Sequence, residues 1–132
     1  MKRVMILLIT FMVMVSVVSC GSAKKANTPE NSLAWEGSYS GLVPGANSEI
    51  LTNLTLTREG EFQLEFQYID KSDEIFTENG TFSWNRKGTT ITLTTKHFPS
   101  QYVVEDNKLT QLDMEGKTIK GAFADHYILT KN

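Results

Sequence analysis

The sequence predicts an all-β domain from about residue 33 onward, on three observations. Apolar and polar residues alternate with a period of two, glycine-containing turns separate the alternating segments, and no stretch has a convincing helical period. The alternation is clearest in 61–70, where every second residue is large and apolar: Phe62, Leu64, Phe66 and Tyr68. Polar residues lie between them, as in a strand with one buried and one solvated face.

Taken in order, the segments predict about eight strands. Trp35 and Tyr39 open the domain, and an alternating segment at 50–56 leads through the turn 58–60 into 61–70. Further strands are predicted, in order, at 80–84, 89–95, 102–104, 109–112 and 127–130, with turns at 86–88, 106–107 and 114–117. Short links join antiparallel neighbours. Such a sheet closes most easily into a lipocalin-like up-and-down barrel without free edges, and a sandwich is the alternative architecture.

The N-terminus has the pattern of an export signal. Lys2-Arg3 precedes an apolar run over 4–18, and Ser19-Cys20-Gly21 follows with the only cysteine of the chain. A transmembrane helix, the weaker alternative, needs about 20 apolar residues. The stretch Val17-Val18-Ser19-Cys20 resembles the lipobox of bacterial lipoproteins. That resemblance implies a diacylglycerol on the Cys20 thiol, cleavage before Cys20 and acylation of the new amino terminus.

We therefore divide the chain into a signal peptide (1–19), an acylated cysteine with a flexible tether (20–32) and a β-barrel domain (33–132). Residues 21–32 contain no large apolar side chain, so they bury too little surface to offset the entropy of ordering. After residue 19 the chain carries 11 Lys and Arg against 15 Asp and Glu, a net charge of −4. Because nucleic-acid-binding domains are basic, nucleic acid is excluded as a partner.

Five segments of the domain resemble the NlpE N-terminal domain family of copper-resistance lipoproteins. They are, in the family's order, residues 35–44, 54–57, 76–84, 107–117 and 124–131. The resemblance implies a small lipocalin-like barrel that is anchored to the outer membrane and faces the periplasm. It also implies a role in copper tolerance or in signalling envelope stress, with an envelope protein as partner, and no enzymatic activity or cofactor. Ser22, at the second position after Cys20, is consistent with transport to the outer membrane.

The chain departs from this family pattern in two ways. Family members typically carry a Cys-x-x-Cys pair after a Leu-Pro dipeptide, whereas Pro44 is followed here by Gly45 and Ser48 at the two cysteine positions. Neither residue supplies a thiolate, the ligand that suits Cu(I), so copper binding or thiol exchange at that pair does not carry over. The longer relatives also add a C-terminal β domain that is not found in this sequence.

Few residues in the domain have the types and spacing of a chemical site. His97, His126 and Met114 are weak metal candidates, because no cluster of metal-ligating residues surrounds them in the sequence. The acidic segment 70–74 is more simply a solvated hairpin tip. No nucleophile is paired with a base, which again predicts that the protein is not an enzyme.

Five aromatic residues are predicted to point into the barrel: Phe62, Phe66, Tyr68, Phe82 and Trp84. An eight-stranded barrel is just wide enough to be filled by side chains or to hold one small ligand. Short strands favour a filled core. Two interpretations follow: a monomeric sensor or accessory lipoprotein acting through protein contacts, or a binding barrel for a small apolar ligand or for copper through ligands other than cysteine.

Overall fold

The computed structural model describes residues 28–32, 34–96 and 99–132 and confirms the all-β prediction. Eight strands form a closed antiparallel barrel in chain order: β1 (Gly37–Pro44), β2 (Glu49–Leu56), β3 (Glu61–Tyr68), β4 (Phe76–Trp84), β5 (Thr90–Leu93), β6 (Gln101–Glu105), β7 (Lys108–Gln111) and β8 (Ile128–Lys131). A one-turn helix, α1 (Pro29–Ser32), precedes them, and a 3-10 turn spans Ala124–His126. In these described ranges, no helix has the length and hydropathy needed to cross a membrane.

The barrel closes where the first strand meets the last. Tyr39 of β1 lies opposite Lys131 of β8, and Ser40 lies opposite Thr130. A Cβ atom at Gly41 would lie 2.6 Å from the carbonyl oxygen of Ile128, closer than real Cβ contacts. Glycine at this position therefore lets β8 approach β1. Closure removes the unpaired strand edges that a sandwich would leave.

Because consecutive strands run in opposite directions, their connections are sorted to two ends of the barrel. One end, which we call the closed end, carries α1 and the turns 57–60, 85–89 and 106–107. The other, which we call the open end, carries the turn 45–48 and three longer connections after β3, β5 and β7. The strand connections are therefore longer in total at the open end than at the closed end.

The core consists of the inward side chains of the alternating strands. Tyr39, Tyr102 and a set of aliphatic residues are withdrawn from solvent: Leu54, Leu56, Ile91, Val104, Leu109 and Leu129. Each fully buried large apolar side chain stabilises the fold by about 1.5–3 kcal/mol. The alternation in the sequence identified these positions because one residue in two faces the lumen.

Two segments differ from the sequence-based prediction. β4 begins at Phe76, not at residue 80, because Phe76 lies opposite Phe66 and their rings stack with centroids 5.2 Å apart. At residues 29–32, predicted as tether, α1 contacts the barrel: the Glu30 amide donates to the Gly88 carbonyl over 3.1 Å. Backbone groups make this contact, which a search for apolar side chains does not detect.

Candidate functional site

Aromatic side chains fill the lumen at the closed end. The Trp35 ring packs edge-on against Phe82, with centroids 5.7 Å apart, and against Trp84 at 5.4 Å. Its indole nitrogen donates to the Glu30 carbonyl over 3.2 Å, and its own carbonyl accepts a bond from the Tyr39 hydroxyl over 2.6 Å. Trp35 thus joins α1 to the core and seals this end of the barrel.

A second aromatic cluster stands at the open end and consists of Phe66, Tyr68 and Phe76. Tyr68 lies edge-on to both phenylalanines, with centroids 5.9 Å from each. Tyr68 and Phe76 are each 38% exposed. This cluster therefore forms part of the rim at the mouth of the barrel.

Beside this rim the lumen contains a cavity of about 240 Å³. Its walls come from β1, β2 and β3 on one side and from β6 on the other, and two residues of the β5–β6 connection, Lys96 and Pro99, lie at the entrance. The wall residues on the strands are Val43, Ile50, Thr52, Leu64, Phe66, Tyr68 and Tyr102. Most of these side chains are apolar. The lumen is accordingly filled at the closed end and hollow toward the open end.

The five aromatic residues predicted to line the lumen are divided between these two regions. Phe82 and Trp84 pack on Trp35 at the closed end, and Phe62 is buried in the core at 3% exposure. Phe66 and Tyr68 line the cavity. The lumen therefore has a filled half and a hollow half. The sequence analysis had considered only a lumen that is filled by side chains throughout or one that holds a small ligand.

Two polar residues of the cavity wall, Thr52 and Tyr102, were not among the five residues that the sequence predicted to line the lumen. Both are buried, at 6% and 1% exposure. The Tyr102 hydroxyl has no hydrogen-bond partner among the residues that the structure describes. The period-two alternation already places Tyr102 on the inner face of its strand, so a search for polar atoms at inward positions would have found it.

Burial changes the acidity of two tyrosines. Desolvation raises the pKa of Tyr102 far above its usual range. Desolvation, followed by the negative charge of Asp106, raises the pKa of Tyr39. Both hydroxyls therefore stay protonated and neutral at physiological pH, so each can donate a hydrogen bond.

The exposed large apolar side chains of the described residues all lie in the half of the molecule at the open end. They are Leu42, Leu51, Tyr68, Ile75, Phe76, Met114 and Phe123. Ile75, Met114 and Phe123 are the most exposed, at 60%, 78% and 64%. Leu42 and Leu51 face each other across β1 and β2. Exposed apolar surface that is confined to one region of a protein is a candidate interaction site.

The metal candidates occupy separate places. His126 ends the 3-10 turn, is exposed and lies edge-on to Phe123, while Met114 projects from the connection after β7. Cys20 and His97 lie outside the described residues. Within 28–32, 34–96 and 99–132 no three His, Cys, Asp or Glu residues are grouped closely enough to hold a metal ion.

The turn between β1 and β2 is the place where the family pattern has its cysteine pair. The Gly45 amide donates to the Ser48 carbonyl over 2.9 Å, so backbone atoms close this turn without a disulfide. A Cβ atom at Gly45 would lie 2.5 Å from that carbonyl oxygen. Neither residue provides a thiolate, and the family's copper chemistry does not fit this turn.

Comparison with models of known protein families shows which family the chain belongs to. The model of the NlpE N-terminal domain matches residues 39–122, from the third residue of β1 through the end of β7 and into the connection after it. The chain belongs to the NlpE N-terminal domain family. The predicted family membership is thereby confirmed. None of the curated proteins matches the chain significantly.

Two solved structures are similar to this chain. A protein from Shewanella oneidensis, assigned as a lipoprotein, is 41% identical with a TM-score of 0.74, over 80% of this chain and 96% of that one. The Cpx pathway activator NlpE from Escherichia coli is 29% identical with a TM-score of 0.56, over 67% of this chain and 46% of NlpE. The present chain therefore corresponds to about half of the Escherichia coli protein.

Proposed function

We propose that this NlpE-family protein is a lipoprotein of the bacterial envelope, anchored through Cys20, that acts as an accessory or sensor by contacting another envelope protein at its open end. The observation that carries the proposal is the restriction of exposed large apolar side chains to that end. Apolar and aromatic side chains supply most of the binding energy in protein interfaces. The similarity to an assigned lipoprotein and to a Cpx pathway activator supports an envelope role.

The position of α1 indicates which end of the barrel a tether would join. Thr28 and α1 lie at the closed end, so a tether that precedes Thr28 meets the barrel there. Seven residues lie between Cys20 and Thr28, and an extended chain over these eight steps spans at most about 29 Å. An acyl anchor at Cys20 would therefore attach the domain through its closed end and leave the open end available to a partner in the periplasm. We place the anchor in the outer membrane and the domain as a monomer.

The same proposal assigns no copper site to the β1–β2 turn. Gly45 and Ser48 replace the cysteines of the family pattern, and backbone atoms already complete the turn. A role in copper tolerance would then come from the response of a partner to stress and not from copper held at this turn. The proposed function thus rests on the surface of the open end.

Replacing Ile75 and Phe123 together by serine is expected to reduce recovery of the partner about tenfold or more. Each side chain is exposed, so its loss removes contact surface without opening the core. A loss of about 1.4 kcal/mol in binding corresponds to a factor of ten. The measurement is quantitative mass spectrometry of proteins that co-purify with the membrane-anchored chain after crosslinking in cells.

The matched control replaces Arg86 and Lys87, in the β4–β5 turn at the closed end, by serine. This control changes as many exposed side chains and is expected to leave recovery at the wild-type level. Equal losses in both variants, or no loss in the Ile75 and Phe123 variant, would contradict the assignment of contacts to the open end. Thermal unfolding of both variants confirms that each remains folded.

A further inference from the structure

The cavity at the open end contains a buried hydrogen-bonding group that the fold does not use. Tyr102 of β6 lines the cavity together with Ile50 of β2 and with Leu64 and Phe66 of β3. Tyr102 is 1% exposed, and its hydroxyl has no partner among the described residues. More than nine in ten buried polar groups are hydrogen-bonded, so this exception requires an explanation.

The other fully buried tyrosine shows that the fold can satisfy such a group. Tyr39 is equally withdrawn from solvent, and its hydroxyl donates to the Trp35 carbonyl over 2.6 Å. Burying a hydroxyl without a partner lowers stability by about 1–3 kcal/mol. The difference between the two tyrosines coincides with the difference between the filled closed end and the hollow open end.

Size and charge restrict what the cavity can hold. An apolar cavity of about 150 Å³ accommodates a benzene molecule, whereas pockets for drug-sized ligands begin at about 300 Å³. The present volume, about 240 Å³, lies between these limits. A carboxylate beside the Tyr102 hydroxyl would face mostly apolar walls, and Lys96, the one cation among the lining residues, is exposed at the entrance. The part of a ligand that reaches Tyr102 is therefore expected to be neutral.

We propose that this cavity binds one compact, neutral, apolar molecule whose single oxygen acceptor takes a hydrogen bond from the Tyr102 hydroxyl. The walls from Ile50, Leu64 and Phe66 contact the apolar part of the ligand, and the hydroxyl fixes its orientation. Small-molecule sites have this composition, a mostly apolar lining with few polar groups. The cavity shares Tyr68 with the exposed apolar surface of the proposed function, but the variants that test the two, at Tyr102 here and at Ile75 and Phe123 there, change different residues, so either proposal can fail alone.

The test compares two probes of similar size, acetophenone and ethylbenzene, in which a carbonyl group replaces a methylene. The full chain is reconstituted in lipid nanodiscs, and binding is followed by NMR shift changes at the residues lining the cavity. The ratio of acetophenone to ethylbenzene affinity is expected to be about 3–10-fold higher in the wild type than in Tyr102→Phe, the factor that one net hydrogen bond supports. Partition of the probes into lipid is common to all variants and cancels between them.

Tyr102→Phe removes only the hydroxyl and is expected to lower the ratio of acetophenone to ethylbenzene affinity, because the buried carbonyl oxygen then has no partner. Because it removes an unpartnered buried group, this variant should fold at least as stably as the wild type. Tyr127→Phe, the same change at another tyrosine near the open end, should keep the wild-type ratio. Three results would overturn the proposal: no binding of acetophenone, an unchanged ratio in Tyr102→Phe, or a cavity that holds water only.

Discussion

Replacing Trp35 by alanine is expected to lower the free energy of unfolding by about 3–5 kcal/mol, the range for truncating a buried tryptophan. The side chain is 5% exposed and packs against Phe82 and Trp84. Its removal also breaks the hydrogen bond to Glu30 that holds α1. Urea unfolding of the detergent-solubilised full chain, followed by circular dichroism, measures the loss independently of indole fluorescence.

Trp35→Phe is the matched control because it keeps an aromatic ring at the closed end. We expect it to lose about 1–2 kcal/mol, mainly from the missing bond to Glu30 and the smaller ring. Hydrogen exchange adds a local readout: the Glu30 amide, bonded to the Gly88 carbonyl, should exchange faster in Trp35→Ala. A Trp35→Ala protein within about 0.5 kcal/mol of wild type, the range of surface substitutions, would refute the description of the closed end.

Replacing Cys20 by alanine is expected to abolish acylation and to remove the protein from the outer membrane. Two or more acyl chains, at about 0.8 kcal/mol per buried methylene, hold a protein stably, and without them the domain has no comparable anchor. Intact mass and gradient fractionation of membranes measure acylation and location. Cys20 lies outside the described residues, so this expectation derives from the sequence pattern alone.

Ser22→Ala is the control for this substitution, since it changes a neighbouring residue and leaves the thiol in place. Its mass should include the acyl chains, and its fractionation should match the wild type. An acyl mass on Cys20→Ala, or an unchanged outer-membrane fraction, would show that Cys20 is not the anchor. A Cys20→Ala protein that is released from the membrane but still contacts its partner as the wild type does would argue against the need for membrane attachment.

The sequence predicted the barrel because strand periodicity is a local signal. Leu54, Phe62 and Leu64 alternate with polar residues, and each lies in the core as the period of two requires. Short turns then fixed the order of neighbours. The start of β4 was harder to predict, because the stacking of Phe76 on Phe66 depends on the register between two strands and not on the pattern within one strand.

The candidate site was harder to predict because it depends on which end of the lumen is filled. Trp35 lies before the first strand, and nothing in its local sequence says that it packs on Phe82 and Trp84. The cavity follows from this unequal filling, as does the unpartnered hydroxyl of Tyr102. The confinement of the exposed large apolar residues to the open-end half likewise appears only when the strand connections are assigned to the two ends.

The measurement that tests the central claim most directly is photo-crosslinking in living cells with p-benzoylphenylalanine at single positions. Ile75 and Phe123 report on the open end, and Lys87 reports on the closed end. The proposed function predicts discrete protein crosslinks from positions 75 and 123 and none from position 87. Crosslinks to protein from position 87 alone, or none from the open end, would contradict it.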